Sequence, residues 1–286
     1  MSEPPADPGI FTDPVGFPAM IVDKLGRHEC DFPKIFHSIL EESGSDRRRV
    51  AGVLLPLRLR DVPSGGKGQF VFQLIKRSPI VPQPGDLSLP GGMLHPFLDR
   101  VLRPVLIHGP LHVLGGTARR NLVCHNASAL PVITLFLTTA LRESWEEIRL
   151  SPASVRFLGP LPTYSLTLFR STIFPLVGFV NDPKPPRPNR EVEKVVEIPL
   201  ATFYREEQFG CYQICAPDGA GGGPLQFPCL IHRDSDGTDE VLWGATFHII
   251  VSFLEIVMGY RLPDWRKGPL ILRSLNPDYL TGRRRP

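Results

Sequence analysis

The sequence has no run approaching the ~20 apolar residues that a membrane-spanning helix needs. Its first ten residues are acidic and proline-rich, without the basic and apolar segments of a signal peptide. Net charge is small, +3, so no broad basic surface invites nucleic acid. The 5 cysteines are an odd number with no C-x-x-C pair, and Cys211 and Cys215 have no paired His or Cys nearby to complete a zinc site. They read as reduced thiols of a reducing compartment. The 8 histidines form no H-E-x-x-H, so they read as structural or surface residues. No internal repeat is visible. These absences point to a cytoplasmic protein with neither a membrane nor a nucleic-acid partner.

What is present is ordinary globular material. The chain of 286 residues, 42% hydrophobic and 21% charged, can bury a sizeable core. Its 32 prolines favour loops and short strands over long helices. A loose lead-in is expected over 1–20, then a short amphipathic helix from Phe32 to Glu42. Apolar or alternating runs predict strands at Val50 to Leu59, Gln69 to Lys76, Val155 to Pro160, Thr172 to Val180, Glu193 to Pro199, Phe209 to Ile214 and Pro228 to His232. The first two should pair as a hairpin across the turn-rich 61–68 loop. Between Met93 and Pro131, apolar residues at helical spacing predict a helical hairpin or lid inserted into the domain. Val132 to Leu150 predicts a helix with Pro131 in its first turn, stopped by Ser151-Pro152. A short helix should begin at Leu200, and an apolar helix from Trp243 to Met258 closes the domain. The Arg283-Arg284-Arg285 run reads as a solvated tail. Strand-rich halves flanking one helix and closed by another imply an α/β sandwich with a mixed sheet. The expected division is an extension over 1–45, a domain over 46–260 with its insertion at about 93–131, and a tail over 261–286.

The helix around Ala140 to Leu150 carries the chemistry. Glu143, Glu146 and Glu147 stand at i, i+3 and i+4 and share one face. Leu141, Trp145 and Ile148 are expected to form an apolar face beside it. Three clustered anions repel one another unless a cation sits among them, and carboxylate oxygens suit hard ions such as Mg²⁺ or Mn²⁺. Upstream, Leu89-Pro90-Gly91-Gly92 is a turn in which the glycines let backbone approach a ligand.

Pro90-Gly91-Gly92 followed by A-L-R-E-S-W-E-E-I-R-L resembles the Nudix box, G-x5-E-x7-R-E-U-x-E-E-x-G-U. The flanks are similar to the coenzyme A pyrophosphatase branch: Leu74 to Ser78, Pro84-Gly85, Leu158 to Pro162, Asn189 to Leu200, and Leu242 to Thr246. The resemblance spans about 50–258 apart from the insertion. It implies a Nudix-type α/β/α sandwich with a central mixed sheet and a mainly helical insertion. It also implies Mg²⁺- or Mn²⁺-dependent hydrolysis of the pyrophosphate of coenzyme A or acyl-coenzyme A, giving 3′-phosphoadenosine 5′-phosphate and (acyl) 4′-phosphopantetheine. Two alternatives stay open: a pyrophosphatase for ADP-ribose or another nucleoside diphosphate derivative, and a catalytically weak nucleotide-binding or regulatory protein.

On this resemblance Glu143, Glu146 and Glu147 hold metal, and Arg142 supports helix and loop by ion pairing. Gly91 and Gly92 place backbone near the metal-bound phosphate. The general base stays open between Glu143 or Glu146 within the helix and a loop carboxylate, for which Glu191 is the best match, with Glu193 close behind. Lys76 and Arg77 can meet substrate phosphates. Several positions depart from the motif. The interval from Gly92 to Arg142 is far longer than the motif's. The motif's first Glu falls at Thr134 counted back from Arg142, or at Leu98, beside Asp99, counted forward from Gly92, so that Glu is expected to be absent. Arg149 replaces the late Gly, and Pro82 stands where the coenzyme A signature has its second Arg. Four readings of the insertion stay open: its apolar face caps the active site, shapes an acyl pocket or forms a homodimer interface, or the segment is simply an extension packed on the surface.

Overall fold

The computed structural model describes residues 11–42, 48–61, 68–108, 113–166, 170–215, 225–274 and 279. The 1–10 lead-in, most of the 61–68 loop, the glycines at 219–223 and the Arg283-Arg284-Arg285 run lie outside the described residues.

In chain order the helices and strands are α1 (Gly16–Arg27), α2 (Phe32–Glu41), β1 (Arg49–Arg60), β2 (Gln69–Arg77), β3 (Leu87–Ser88), β4 (Gly91–Met93), α3 (Pro96–His108), α4 (Gly116–His125), α5 (Leu130–Ile148), β5 (Val155–Pro160), β6 (Tyr164–Leu166), β7 (Ser171–Val180), β8 (Val192–Pro199), β9 (Phe209–Cys215), β10 (Leu225–Arg233), β11 (Asp239–Trp243), α6 (Gly244–Met258) and β12 (Leu270–Ser274). A 3₁₀ turn, Leu200–Tyr204, stands where a short helix was predicted.

The continuous apolar run of β1 is explained by its place: it is central and buried on both faces. It pairs parallel with β7 and antiparallel with β2 and β4, which makes the sheet mixed. That sheet has eight strands, and β11, β10, β9 and β12 form a second, four-stranded one. Register sorts the core. Phe174 pairs with Gly52 and Phe72 with Leu57, so the two phenylalanines face opposite sides. On the Phe174 side lies α5, with the Phe136 ring stacked on Phe174 at 3.8 Å. A Cβ at Gly52 would sit 2.6 Å from the Phe136 carbonyl oxygen, so glycine is what allows the helix this close. Phe32 of α2 closes against the same pair of rings. On the Phe72 side, Phe253 of α6 packs at 5.6 Å, and Phe17 of α1 meets Phe70 at 4.8 Å. The result is a mixed α/β fold with helices on both faces of the sheet. Burial of each such ring contributes roughly 1.5–3 kcal/mol.

Two expectations are corrected. The lead-in does not extend to residue 20: α1 begins at Gly16, with Phe17, Ile21 and Leu25 buried at i, i+4 and i+8. The segment after Met258 is not simply tail, because β12 runs parallel to β9 and Tyr279 is buried. The described residues between Met93 and Pro131 are mainly helical, as α3 and α4. Helix α3 packs on α5 through Asp99, while Phe97, Val101 and Val105 are exposed on its outer side. Cys30, Cys124, Cys211 and Cys229 are free thiols. Among the described residues no single helix is long and apolar enough to cross a membrane.

Candidate active site

Helix α5 carries Pro131 in its first turn and ends at Arg149, whose backbone is left-handed (φ 57°). The N–H groups of Arg149 and Leu150 close the last turn on the carbonyls of Trp145 and Ser144. Arg149 therefore adopts the conformation that the motif's late glycine would supply. Leu141, Ser144, Glu147 and Ile148 face inward. Trp145 does not join the apolar face expected of it. The buried sector of the last turns is centred on Ser144, which leaves Trp145 on the rim, 45% exposed, with the Arg149 guanidinium over its ring.

The glycine turn and the helix carboxylates meet. The Gly91 N–H donates to Glu147 Oε2 at 2.9 Å. Gly91 has φ +148°, and a Cβ there would lie 2.5 Å from the Gly52 carbonyl oxygen. At Gly92 a Cβ would lie 2.5 Å from the carboxyl carbon of Glu143. No side chain fits between turn and helix, so backbone and carboxylate line one surface. Burial pushes the Glu147 carboxyl up to about 8; the Gly91 bond and Arg77 oppose this, and Glu143 and Glu191 reinforce it. Burial also raises Glu143, against the pull of Arg142.

Arg142 has the partner that counting along the motif does not find. Asp99, fully buried in the first turn of α3, accepts from Arg142 Nε at 2.7 Å and from Nη2 at 3.3 Å. It also accepts from Thr139 Oγ1 and from the His95 N–H, both at 2.8 Å. Arg142 Nη1 then reaches Glu143 at 2.8 Å and Glu146 at 3.3 Å. Burial works against the guanidinium, but Asp99 and Glu143 outweigh it and its pKa is raised. The two positions reached by counting do not serve: Thr134 bonds the Pro131 carbonyl, and Leu98 is partly exposed. The available signal was that Asp99 is the only acidic residue between Gly92 and Arg142.

The loop residues divide. Asn189 N–H bonds the Glu147 carbonyl at 2.7 Å, and Ser78 N–H bonds that of Glu191 at 2.9 Å. The turn bearing Glu191 is thereby fastened at the end of α5, and its charge acts on Glu147. Arg77 acts on Glu147 with the opposite sign, its Nε anchored to the Pro82 carbonyl at 2.7 Å. Lys76 and Glu193 are not brought to this group. Lys76 Nζ pairs with Glu240 at 3.0 Å and Glu193 at 3.3 Å. The reason is strand alternation, which sends Lys76 and Arg77 to opposite faces of β2.

Oxygen donors of this kind suit Mg²⁺ or Mn²⁺, and a buried carboxyl held near 8 is a group whose charge a cation would restore. As the side chains stand, no three metal-ligating groups among the described residues are gathered around one point. Glu143 and Glu146 are turned to Arg142, and Glu147 to Gly91.

No family model matches the chain, and no curated protein sequence matches it. Solved structures similar to it include an Ap4A hydrolase from C. elegans, at 14% identity over 53% of this chain and 80% of that one, with a TM-score of 0.32. A Nudix hydrolase from Alicyclobacillus acidocaldarius matches at 14% identity over 55% and 81%, TM-score 0.34. One from M. smegmatis matches at 15% over 53% and 71%, TM-score 0.32.

Proposed function

We propose that this chain is a Nudix hydrolase that cleaves the pyrophosphate of coenzyme A or acyl-coenzyme A, giving 3′-phosphoadenosine 5′-phosphate and (acyl) 4′-phosphopantetheine. The observation that carries the reading is the meeting of Gly91 and Glu147: a buried carboxylate fixed by a backbone N–H of the glycine turn, with Glu143 beside it. Glu143, Glu146 and Glu147 would hold Mg²⁺ or Mn²⁺, which when bound neutralises phosphate charge and lowers the pKa of water. The remaining work falls to the chain. Asp99 fixes Arg142, and Arg142 orients Glu143 and Glu146. Gly91 fixes the Glu147 carboxylate. Glu191 takes the proton of the attacking water, and Arg77 meets the phosphates. The coenzyme A preference rests on the flanking segments that resemble that branch.

A second reading, nucleotide binding without turnover, is favoured by one observation: Arg142 occupies Glu143 and Glu146 together. Product analysis with coenzyme A, an acyl-coenzyme A and ADP-ribose, each with Mg²⁺ or Mn²⁺, separates the readings. Coenzyme A should give the two named products with the highest kcat/KM. Glu146 is half exposed, so Glu146→Gln should fold normally and lose roughly 100-fold or more in kcat. Unchanged activity would sink the metal assignment. Tight binding of coenzyme A without product at any metal concentration would establish the second reading.

A further inference from the structure

Arg77, on strand β2, is a cation whose charge acts on Glu147, and its position depends on the 82–86 loop. Arg77 N–H donates to the Asp86 carbonyl at 3.0 Å, and Gly85 N–H returns to the Arg77 carbonyl at 2.8 Å. The Arg77 Nε bond to Pro82 completes the frame. The loop cannot hold itself: Gln83 and Gly85 are both left-handed, at φ 57° and 79°, and the first has a side chain that disfavours that region.

What holds it comes from the far end of the chain. The Asp86 carboxylate is buried and accepts three donors: Tyr279 Oη at 2.5 Å, Arg273 Nη1 at 3.1 Å and Trp243 Nε1 at 3.3 Å. Arg273 Nη2 also donates to the Pro84 carbonyl at 2.9 Å, and the Gln83 N–H donates to the Tyr279 carbonyl at 2.6 Å. Arg273 is itself set by β12, which is paired along β9. The path therefore runs from β12 and Tyr279, through Asp86 and the loop backbone, to Arg77.

We infer that β12 and Tyr279 form a strap that positions the Arg77 loop, with Asp86 as its anchor, and so sets substrate affinity at the pyrophosphate site. Asp86, Arg273 and Tyr279 are positioning residues and do not touch substrate. The kinetic half rests on the pyrophosphatase reading, and the positional half does not.

Tyr279→Phe removes one hydroxyl and leaves the backbone carbonyl that Gln83 uses. The strap requires that KM rise about three- to tenfold while kcat stays within about twofold. Amide exchange at Gln83 and Gly85 should quicken by a comparable factor. In an Arg77→Ala background the same change should move KM by less than about twofold, because the group being positioned is gone. A chain ending at residue 262 should show a larger KM defect. Should that shortened chain fail to fold, Tyr279→Phe decides alone. An equal KM effect with and without Arg77, or unchanged exchange at Gln83 and Gly85, would overturn the strap. If the unsubstituted chain hydrolyses no pyrophosphate, the functional reading fails and the exchange measurement alone decides the strap.

Discussion

Replacing Asp99 by Asn tests the ion pair on which the site is built. The substitution is nearly isosteric and removes only charge and one acceptor. Oδ2 of Asp99 faces three donors, the His95 N–H, Thr139 Oγ1 and Arg142 Nη2, while Oδ1 faces Arg142 Nε. Either orientation of an Asn amide therefore sets NH₂ against a donor. Asp99 is fully buried, and the Arg142 side chain is 10% exposed. Removing one partner of such a pair costs about 3–5 kcal/mol. Glu143 and Glu146 stay beside Arg142, so the low end, about 3 kcal/mol, is expected. That corresponds to a fall in Tm of roughly 6–12 °C for a chain of this size. Thermal melting followed by circular dichroism measures it. Arg142→Met and the double variant complete a cycle, in which the coupling should exceed about 1.5 kcal/mol. A Tm within about 2 °C of the parent, or additive single effects, would refute the pairing as the brace of the site. The kcat of Asp99→Asn should fall as well, because Arg142 then no longer holds Glu143 and Glu146 in place.

Four further outcomes are expected. The Glu147 carboxyl sits at about 8 in the folded chain, against 4.5 for an ordinary glutamate. The folded state thus keeps a proton that the unfolded state releases between those values. Metal-free stability should fall by a few kcal/mol as pH rises from about 4.5 to about 8. Glu147→Gln lacks that loss: in EDTA it should melt above the parent at pH 8 and level with it near pH 4.5, with the order reversed by Mg²⁺. Equal pH slopes for the two chains would contradict this. Arg149→Gly should raise stability by about 0.5–1 kcal/mol in urea titration, since glycine takes the left-handed conformation without steric penalty. Lys76→Ala should lower stability by about 1–3 kcal/mol, because Glu240 loses one of its two cations, with KM within about twofold. Arg77→Ala should do the reverse, raising KM about tenfold at unchanged Tm.

The sheet and the carboxylate helix were legible because their signals are local. β1, β2 and β7 announce themselves as apolar runs, and α5 as a periodic helix stopped by Ser151-Pro152. Where elements were missed, the local signal points elsewhere. Pro14 and Pro18 made the start of α1 read as loop, although proline is compatible with a helix's first turn. β11 opens on Asp239-Glu240, whose charges make sense only once Lys76 and Lys194 are seen across from Glu240. Asp99 was illegible for a different reason. A motif specifies a spacing, but what the site needs is a carboxylate in reach of a buried guanidinium. Helix α3 starts just after β4, so Asp99 in its first turn lies over α5 at once, however many residues follow before α5 begins. Asp is one methylene shorter than Glu and stands one residue beyond the counted position, and the ion pair forms all the same. Arg149 makes the same point at the other end of the helix, where the backbone turns left-handed without the glycine that counting would demand. The physical requirements at this site are one buried charge pair, one left-handed residue and a glycine turn with no room for a Cβ. Only the last of these depends on residue identity strongly enough to be read from the letters alone.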